Sequence, residues 1–169
     1  MPVELIEASS ADADAIAALH AESWRTAYRG MLPDDFLDHG LLEDRQRAWR
    51  SRLSGDSIQQ QWVLKALLDG KLAGFVCVLP DAEPKYGPRL DNLHVRPELK
   101  GTGIGHRLFT AAREWSSRAR PGEPLHLWVL ESNQVARRFY EREGGRIVQK
   151  IMRDVVPGLA ALELRYAWF

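Results

Sequence analysis

Two hydrophobic periods divide the chain, and each predicts a different kind of element. A short extended run, VELIE (3–7), opens it. Apolar positions then recur at three- and four-residue spacing through SSADADAIAALHAESWRTAY, which predicts a helix. Ser9 or Ser10 suits its cap, Asp12 and Asp14 suit its positive end, and Ile16, Leu19, Ser23 and Trp24 share one face. Gly30 breaks it. LPDDFLDHG predicts a short helix with Pro33 at its start, and LLEDRQRAWRSRLSG a longer one with Leu42, Trp49 and Leu53 inward and Gly55 past its end.

From residue 59 the period drops to that of strands. QQWVLKALL and KLAGFVCVL flank Asp69-Gly70, a strong hairpin signal. PDAEPKYGP (80–88) reads as a rim loop and RLDNLHV as the next strand. Simple alternation there places Asp91 with Leu93 on one face, and Asn92 with His94 on the other. Ile104, Leu108, Ala112, Trp115 and Ala119 mark a helix ended by Pro121-Gly122. Then follow LHLWVL as a strand, SNQVARRFYEREGG as a capped helix, and RIVQKIM and ALELRYAWF as two strands.

The order β, helices, β-hairpin, β, α, β, α, β, β predicts one α/β domain over residues 1–169. The expected sheet is mixed and mostly antiparallel, with about six or seven strands and about four or five flanking helices. The last strand is expected at an exposed edge, where a homodimer would form. Charge narrows the partners. With 23 basic and 23 acidic residues the net charge is zero, so nothing favours nucleic acid or an anionic membrane. No run is long and apolar enough for a membrane span, and the N-terminal residues lack a signal-peptide pattern. The single cysteine, Cys77, sits mid-strand and reads as an inert buried thiol, which fits a cytoplasmic setting. No His/Cys/Asp grouping has metal-ligand spacing, so no metal is expected. The basic face RQRAWRSR (45–52) reads as solvated surface, and most of the six tryptophans as core.

The candidate chemistry lies in LHVRPELKGTGIGHRLF (93–109). A strand, a glycine-rich turn and a helix start together make an anion cradle, because first-turn N–H groups lack internal partners and glycines let a ligand approach the backbone. The glycine spacing fits neither the P-loop nor the dinucleotide pattern.

Lys100-Gly101-Thr102-Gly103-Ile104-Gly105 resembles the acetyl-CoA-binding signature of the GNAT superfamily of N-acetyltransferases, R/Q-x-x-G-x-G/A, with Lys in the first position. LHLWVLESNQVARRFYEREGGR, about thirty residues on, resembles the superfamily's second conserved block. HAESWRTAYRGMLPDDFLD is similar to the first helical region of one bacterial GNAT group. The resemblance implies direct acetyl transfer from acetyl-CoA to a primary amine of a small molecule or peptide, without a metal or a covalent enzyme intermediate. It implies a splayed pair of central strands, the coenzyme diphosphate on the N–H groups from Gly101 to His106, and the pantetheine arm along Leu93, His94 and Val95. Asn133 and Ala136 would also touch that arm. A main-chain N–H near Leu93–Val95 would face the oxyanion.

Tyr140, seven residues from Asn133 and on the same helix face, is then the expected general acid. Asp91 is the expected general base, with His94 the second candidate. His20 on the first helix could face the acceptor cleft, but reads first as a surface residue. Trp24, Tyr28 and Tyr86 are the expected acceptor-lining residues. The rival from another class is an acyl-CoA-binding sensor or regulatory domain without turnover.

Overall fold

A computed structural model of the chain describes residues 2–169. Seven strands form one sheet in the order β1-β2-β3-β4-β5-β7-β6. They are β1 (Val3–Glu7), β2 (Trp62–Leu68), β3 (Lys71–Glu83), β4 (Gly87–Val95), β5 (Leu125–Leu130), β6 (Arg146–Val156) and β7 (Leu159–Trp168). Five α-helices flank the sheet: α1 (Ala13–Ala27), α2 (Asp34–Asp38), α3 (Leu41–Arg52), α4 (Ile104–Ala119) and α5 (Gln134–Arg142). Every strand pair is antiparallel except β4–β5. Among the described residues no helix is long and apolar enough to cross a membrane.

The sheet separates two cores. Leu64, Val76, Val78, Leu90, Leu127 and Leu164 face α4 and α5, and pack on Leu108, Phe109 and Tyr140. Phe75, Cys77 and Val63 face the opposite side, against Ile16 and Leu19 of α1 and Trp49 of α3. A third cluster ties Val156 of β6 and Leu159 of β7 to Ala21 of α1, Leu37 of α2 and Leu41 of α3. The β6–β7 turn therefore bends over the C-terminal end of α1.

Asp69 and Gly70 both have positive φ, 51° and 75°, as the hairpin signal requires. The expected rim loop at 80–88 is shorter than read, because β3 runs through Pro80 to Glu83 and β4 begins at Gly87. β7 is not an edge strand. It pairs with both β5 and β6, so the sheet's edges are β1 and β6. Two consecutive strands in sequence are commonly added outward; here the chain skips one place and returns.

Two irregularities build the site. β4 and β5 share one Cα partnership, Arg89↔His126. Beyond it the strands part, leaving an open V between their C-terminal halves. The β3–β4 ladder also pairs Val78 with Leu90 and Cys77 with Asn92, so Asp91 is an extra residue. That bulge overturns the alternation expected from sequence. Asp91 bonds to Arg52 of α3, and Asn92 and His94 pair with Cys77 and Phe75 of the α1/α3 core. All three side chains thus face α1 and α3, while Leu93 packs toward α4.

Candidate active site

The V opens into a cavity of about 710 Å³. Its lining runs from the glycine turn along β4 and β5 to the end of α1. One end is built of backbone. Gly101 and Gly103 adopt φ of +80° and +88°, a left-handed conformation in which L side chains are strained. The first helical bond of α4 runs from the Arg107 N–H to the Gly103 carbonyl. The N–H groups of Ile104, Gly105 and His106 therefore lack an intrahelical partner. A Cβ on Gly105 would meet the Phe139 ring at 3.4 Å, an ordinary contact, so packing alone does not demand glycine there.

Lys100, Gly101, Gly103, Gly105 and His106 line the cavity, and Arg142 and Glu143 face them from the end of α5. The His106 ring is engaged by α5, its Nδ1 lying 2.8 Å from Glu143 Oε1. Thr102 and Ile104 do not line the cavity. The Thr102 hydroxyl donates to the Leu99 carbonyl at 2.6 Å, and the Ile104 side chain is buried in the α4 core. Their contribution to an anion site is main-chain only.

The cavity's waist is formed by α5. Asn133 caps this helix, its Oδ1 accepting the Ala136 N–H at 3.2 Å. That bond fixes the amide orientation and leaves the Nδ2 donors free for the cavity that Asn133 and Ala136 line. One turn further, the Tyr140 ring is held by Phe109, Phe139 and Trp168, with centroids 6.0, 5.2 and 5.9 Å away. Its hydroxyl has no protein hydrogen-bond partner among the described residues, and Tyr140 lines the cavity. Burial raises its pKa, and Tyr28 nearby adds to the shift. The phenol keeps its proton at neutral pH.

The other end is built of side chains from α1 and β4. Ser23, Trp24, Tyr28, Asp91, Asn92 and His94 line it. Trp24 packs edge-on against His20 and Tyr28, and the Arg45 guanidinium lies 5.3 Å from its ring centroid. The bulge brings Asp91 to the cavity, but its carboxylate is occupied. Arg52 donates to Oδ2 at 3.0 Å and Arg89 to Oδ1 at 3.4 Å, with Asn92 on Oδ2 as well. A carboxylate whose two oxygens serve two guanidiniums is poorly placed to take a substrate proton.

Tyr86 is a correction. It lies outside the cavity, at the β3–β4 turn, with the Arg165 guanidinium 3.7 Å from its ring centroid and its carbonyl bonded to His126. Arg165 is buried and pairs with Glu83, and its guanidinium packs on the Tyr86 ring. His20 is the second correction, for it is buried rather than exposed. Trp49 Nε1 donates to its Nδ1 at 2.9 Å, which seals it beneath α3. Cys77 is buried as expected, and burial pushes its thiol up to about 12. The sequence places Ser23 on the apolar face with Leu19 and Trp24 but gives it no site role, although a serine on such a face was a usable signal. Among the described residues no group of three or more His, Cys, Asp or Glu is placed to hold a metal.

An open V between a parallel strand pair, above a glycine-turned helix start, is the arrangement that the sequence resemblance to the GNAT superfamily implies. Comparison with known proteins gives the same assignment. The model of the acetyltransferase (GNAT) family matches residues 16–145. The chain is 31% identical over 142 residues to an uncharacterized N-acetyltransferase of Archaeoglobus fulgidus, covering 82% of this chain and 89% of the relative. It is 26% identical over 145 residues to a probable N-acetyltransferase of Mycobacterium tuberculosis, covering 83% and 78%. Its fold superposes on the PaiA N-acetyltransferase of Thermoplasma acidophilum, solved in complex with coenzyme A, with a TM-score of 0.78. That match has 20% identity and covers 99% and 100% of the two chains. The chain belongs to the GNAT acetyltransferase family and is an acetyl-CoA-dependent N-acetyltransferase.

Proposed function

We propose that the cavity seats acetyl-CoA with its diphosphate at Gly101–His106 and its pantetheine arm in the V, and that a primary amine enters from the α1 side. The observation that carries this reading is the run of unpartnered N–H groups at a left-handed glycine turn, opening into a V whose β4 edge is unpaired. The bound donor supplies an activated acetyl group. Lys100 and Arg142 add positive charge beside the N–H cradle. The free edge at Leu93, His94 and Val95 offers main-chain groups to an extended amide-bearing arm, as an added strand would use them. One N–H of this edge would meet the oxyanion, and the free amide of Asn133 steadies the arm.

Tyr140 acts as the general acid. Its neutral hydroxyl gives a proton to the departing thiolate. Trp24 and Tyr28 wall the acceptor end, whose fit is a small-molecule or peptide amine with an apolar body. The buried, reduced Cys77 is consistent with a cytoplasmic protein, and β6, one of the two sheet edges, is the place for a homodimer contact. The test is calorimetric binding of acetyl-CoA together with free-thiol release across an amine panel. Binding plus amine-dependent thiol release supports the reading. Binding without release from any amine favours a sensor, and no binding defeats the reading.

A further inference from the structure

These roles leave two polar side chains of the acceptor end unused, Ser23 and His94, and a third, His20, is buried beside them. His94 lines the cavity, and its Nδ1 lies 2.8 Å from Ser23 Oγ. Its ring rests on His20 and Phe75, with centroids 4.8 and 5.5 Å away. Its Nε2 bonds to no protein group among the described residues. His20 is arranged differently. Its Nδ1 accepts from Trp49, so its proton sits on Nε2, which is buried without a partner. A ring in that state has no lone pair to offer the cavity. Asp91, the third candidate, is engaged by two guanidiniums.

We propose that His94 is the general base of the transfer, accepting the proton on Nε2, and that Ser23 is a positioning residue that accepts the Nδ1–H. The proposal rests on the acetyl-transfer reading above. The step balances as follows. The nitrogen lone pair forms the N–C bond and the carbonyl π pair moves to oxygen. The cationic nitrogen gives its proton to His94 Nε2. The oxyanion then reforms the carbonyl, the C–S bond breaks, and the sulfur takes the Tyr140 proton. The imidazolium's proton returns to the Tyr140 phenolate directly or through solvent, leaving both groups as they began.

The surroundings suit an acceptor that is always ready. Burial above all, then the charge of Lys100 at the turn, with Asp91 on β4 opposing them, lowers the His94 imidazole to about 4. His20 faces it from α1 and is also held neutral by burial. So weak a base does not strip an alkylammonium of pKa about 10.4. It takes its proton after the N–C bond has formed, when the nitrogen is more acidic than the free alkylammonium and the following C–S cleavage draws the step forward. The acceptor therefore enters as its neutral fraction, and kcat/KM rises with pH toward the amine's own pKa.

Two measurements test this. In 15N-labelled free protein, His94 is expected as the Nδ1–H tautomer with a bare Nε2, and Ser23→Ala is expected to mix the tautomers while Ser23→Thr restores the preference. In turnover, His94→Gln is expected to lower kcat about 100-fold with acetyl-CoA affinity by calorimetry kept. Ser23→Ala is expected to fall less and Ser23→Thr to recover. An Nε2–H tautomer in the free protein would overturn the proposal without touching the transferase reading. So would wild-type kcat in His94→Gln, or an equal loss of coenzyme affinity, which marks a structural role. Wild-type protein that binds no acetyl-CoA removes both.

Discussion

The two ends of the cavity present different parts of the chain. The end proposed for the coenzyme, from Gly101 to His106, offers consecutive main-chain N–H groups. The acceptor end uses side chains gathered from α1 and β4, with Ser23 and His94 separated by 71 positions. Backbone recognition needs particular φ values in a row, so it leaves a compact glycine pattern. Side-chain recognition needs only that the fold bring the residues together, and it leaves no local pattern. Under the proposed assignment, one end therefore fixes the class of donor, and the other varies the acceptor on the same frame.

The largest expected effect lies between the ends. Tyr140→Phe should lower kcat by about 100-fold or more, the usual contribution of a general acid, while calorimetric acetyl-CoA affinity stays at the wild-type value. The ring remains packed by Phe109, Phe139 and Trp168, so folding is kept. Wild-type turnover in this variant would remove the phenol from the mechanism and leave the sulfur's proton to solvent.

The coenzyme end can be split further by its own glycines. Gly103→Ala places a side chain at φ +88°, with nothing within 4 Å of the new Cβ. The cost is conformational, roughly 1–2 kcal/mol, and should appear as a lower melting temperature as well as weaker binding. Gly105→Ala has no such strain and meets only an ordinary 3.4 Å contact with Phe139. It should melt at or above the wild-type temperature, since alanine favours a helix, yet bind acetyl-CoA more weakly through the methyl added beside the cradle. Equal behaviour of the two variants would mean that Gly105 does not face the ligand.

This contrast also explains what was legible. Hairpin, helices and glycine turn were readable because each is set by neighbours in sequence: Asp69-Gly70, Gly103 before Ile104, Asn133 before Gln134. The Asp91 bulge was not, because one extra residue in a ladder is defined by the partner strand. Its consequence was large. The alternation that placed Asp91 beside Leu93 put it on the wrong face, away from Arg52 and Arg89. His20 was misread for a related reason. Its burial depends on Trp49, twenty-nine positions away, and the cover that α3 supplies. Tyr86 was misassigned because a buried arginine on the last strand, Arg165, claims its ring. The edge strand was misjudged because pairing order within a sheet is not sequence order.

At the acceptor end, Trp24→Leu removes the aromatic wall while keeping an apolar side chain. The acceptor KM should rise by roughly tenfold, as losing about 1.4 kcal/mol of contact would give, with acetyl-CoA affinity unchanged. A parallel loss of coenzyme affinity would show that the two ends are not separable in the way the geometry suggests.

The smallest expected effect joins the ends. Lys100 has no carboxylate partner among the described residues, lines the cradle, and its charge is felt at His94. Lys100→Gln should weaken acetyl-CoA binding by no more than about fivefold, the scale of one exposed charge, and should flatten the dependence of that binding on salt. It should also raise the His94 titration above about 4, because the positive charge that disfavours the imidazolium is gone. The sign follows from the direction of the shift. Protonation then sets in at higher pH, so the acid limb of kcat/KM moves toward neutrality. An NMR titration of His94 in both proteins reads this directly. A midpoint unmoved by the substitution would confine Lys100 to the diphosphate, and the acceptor base would then be electrostatically independent of the turn that holds the coenzyme.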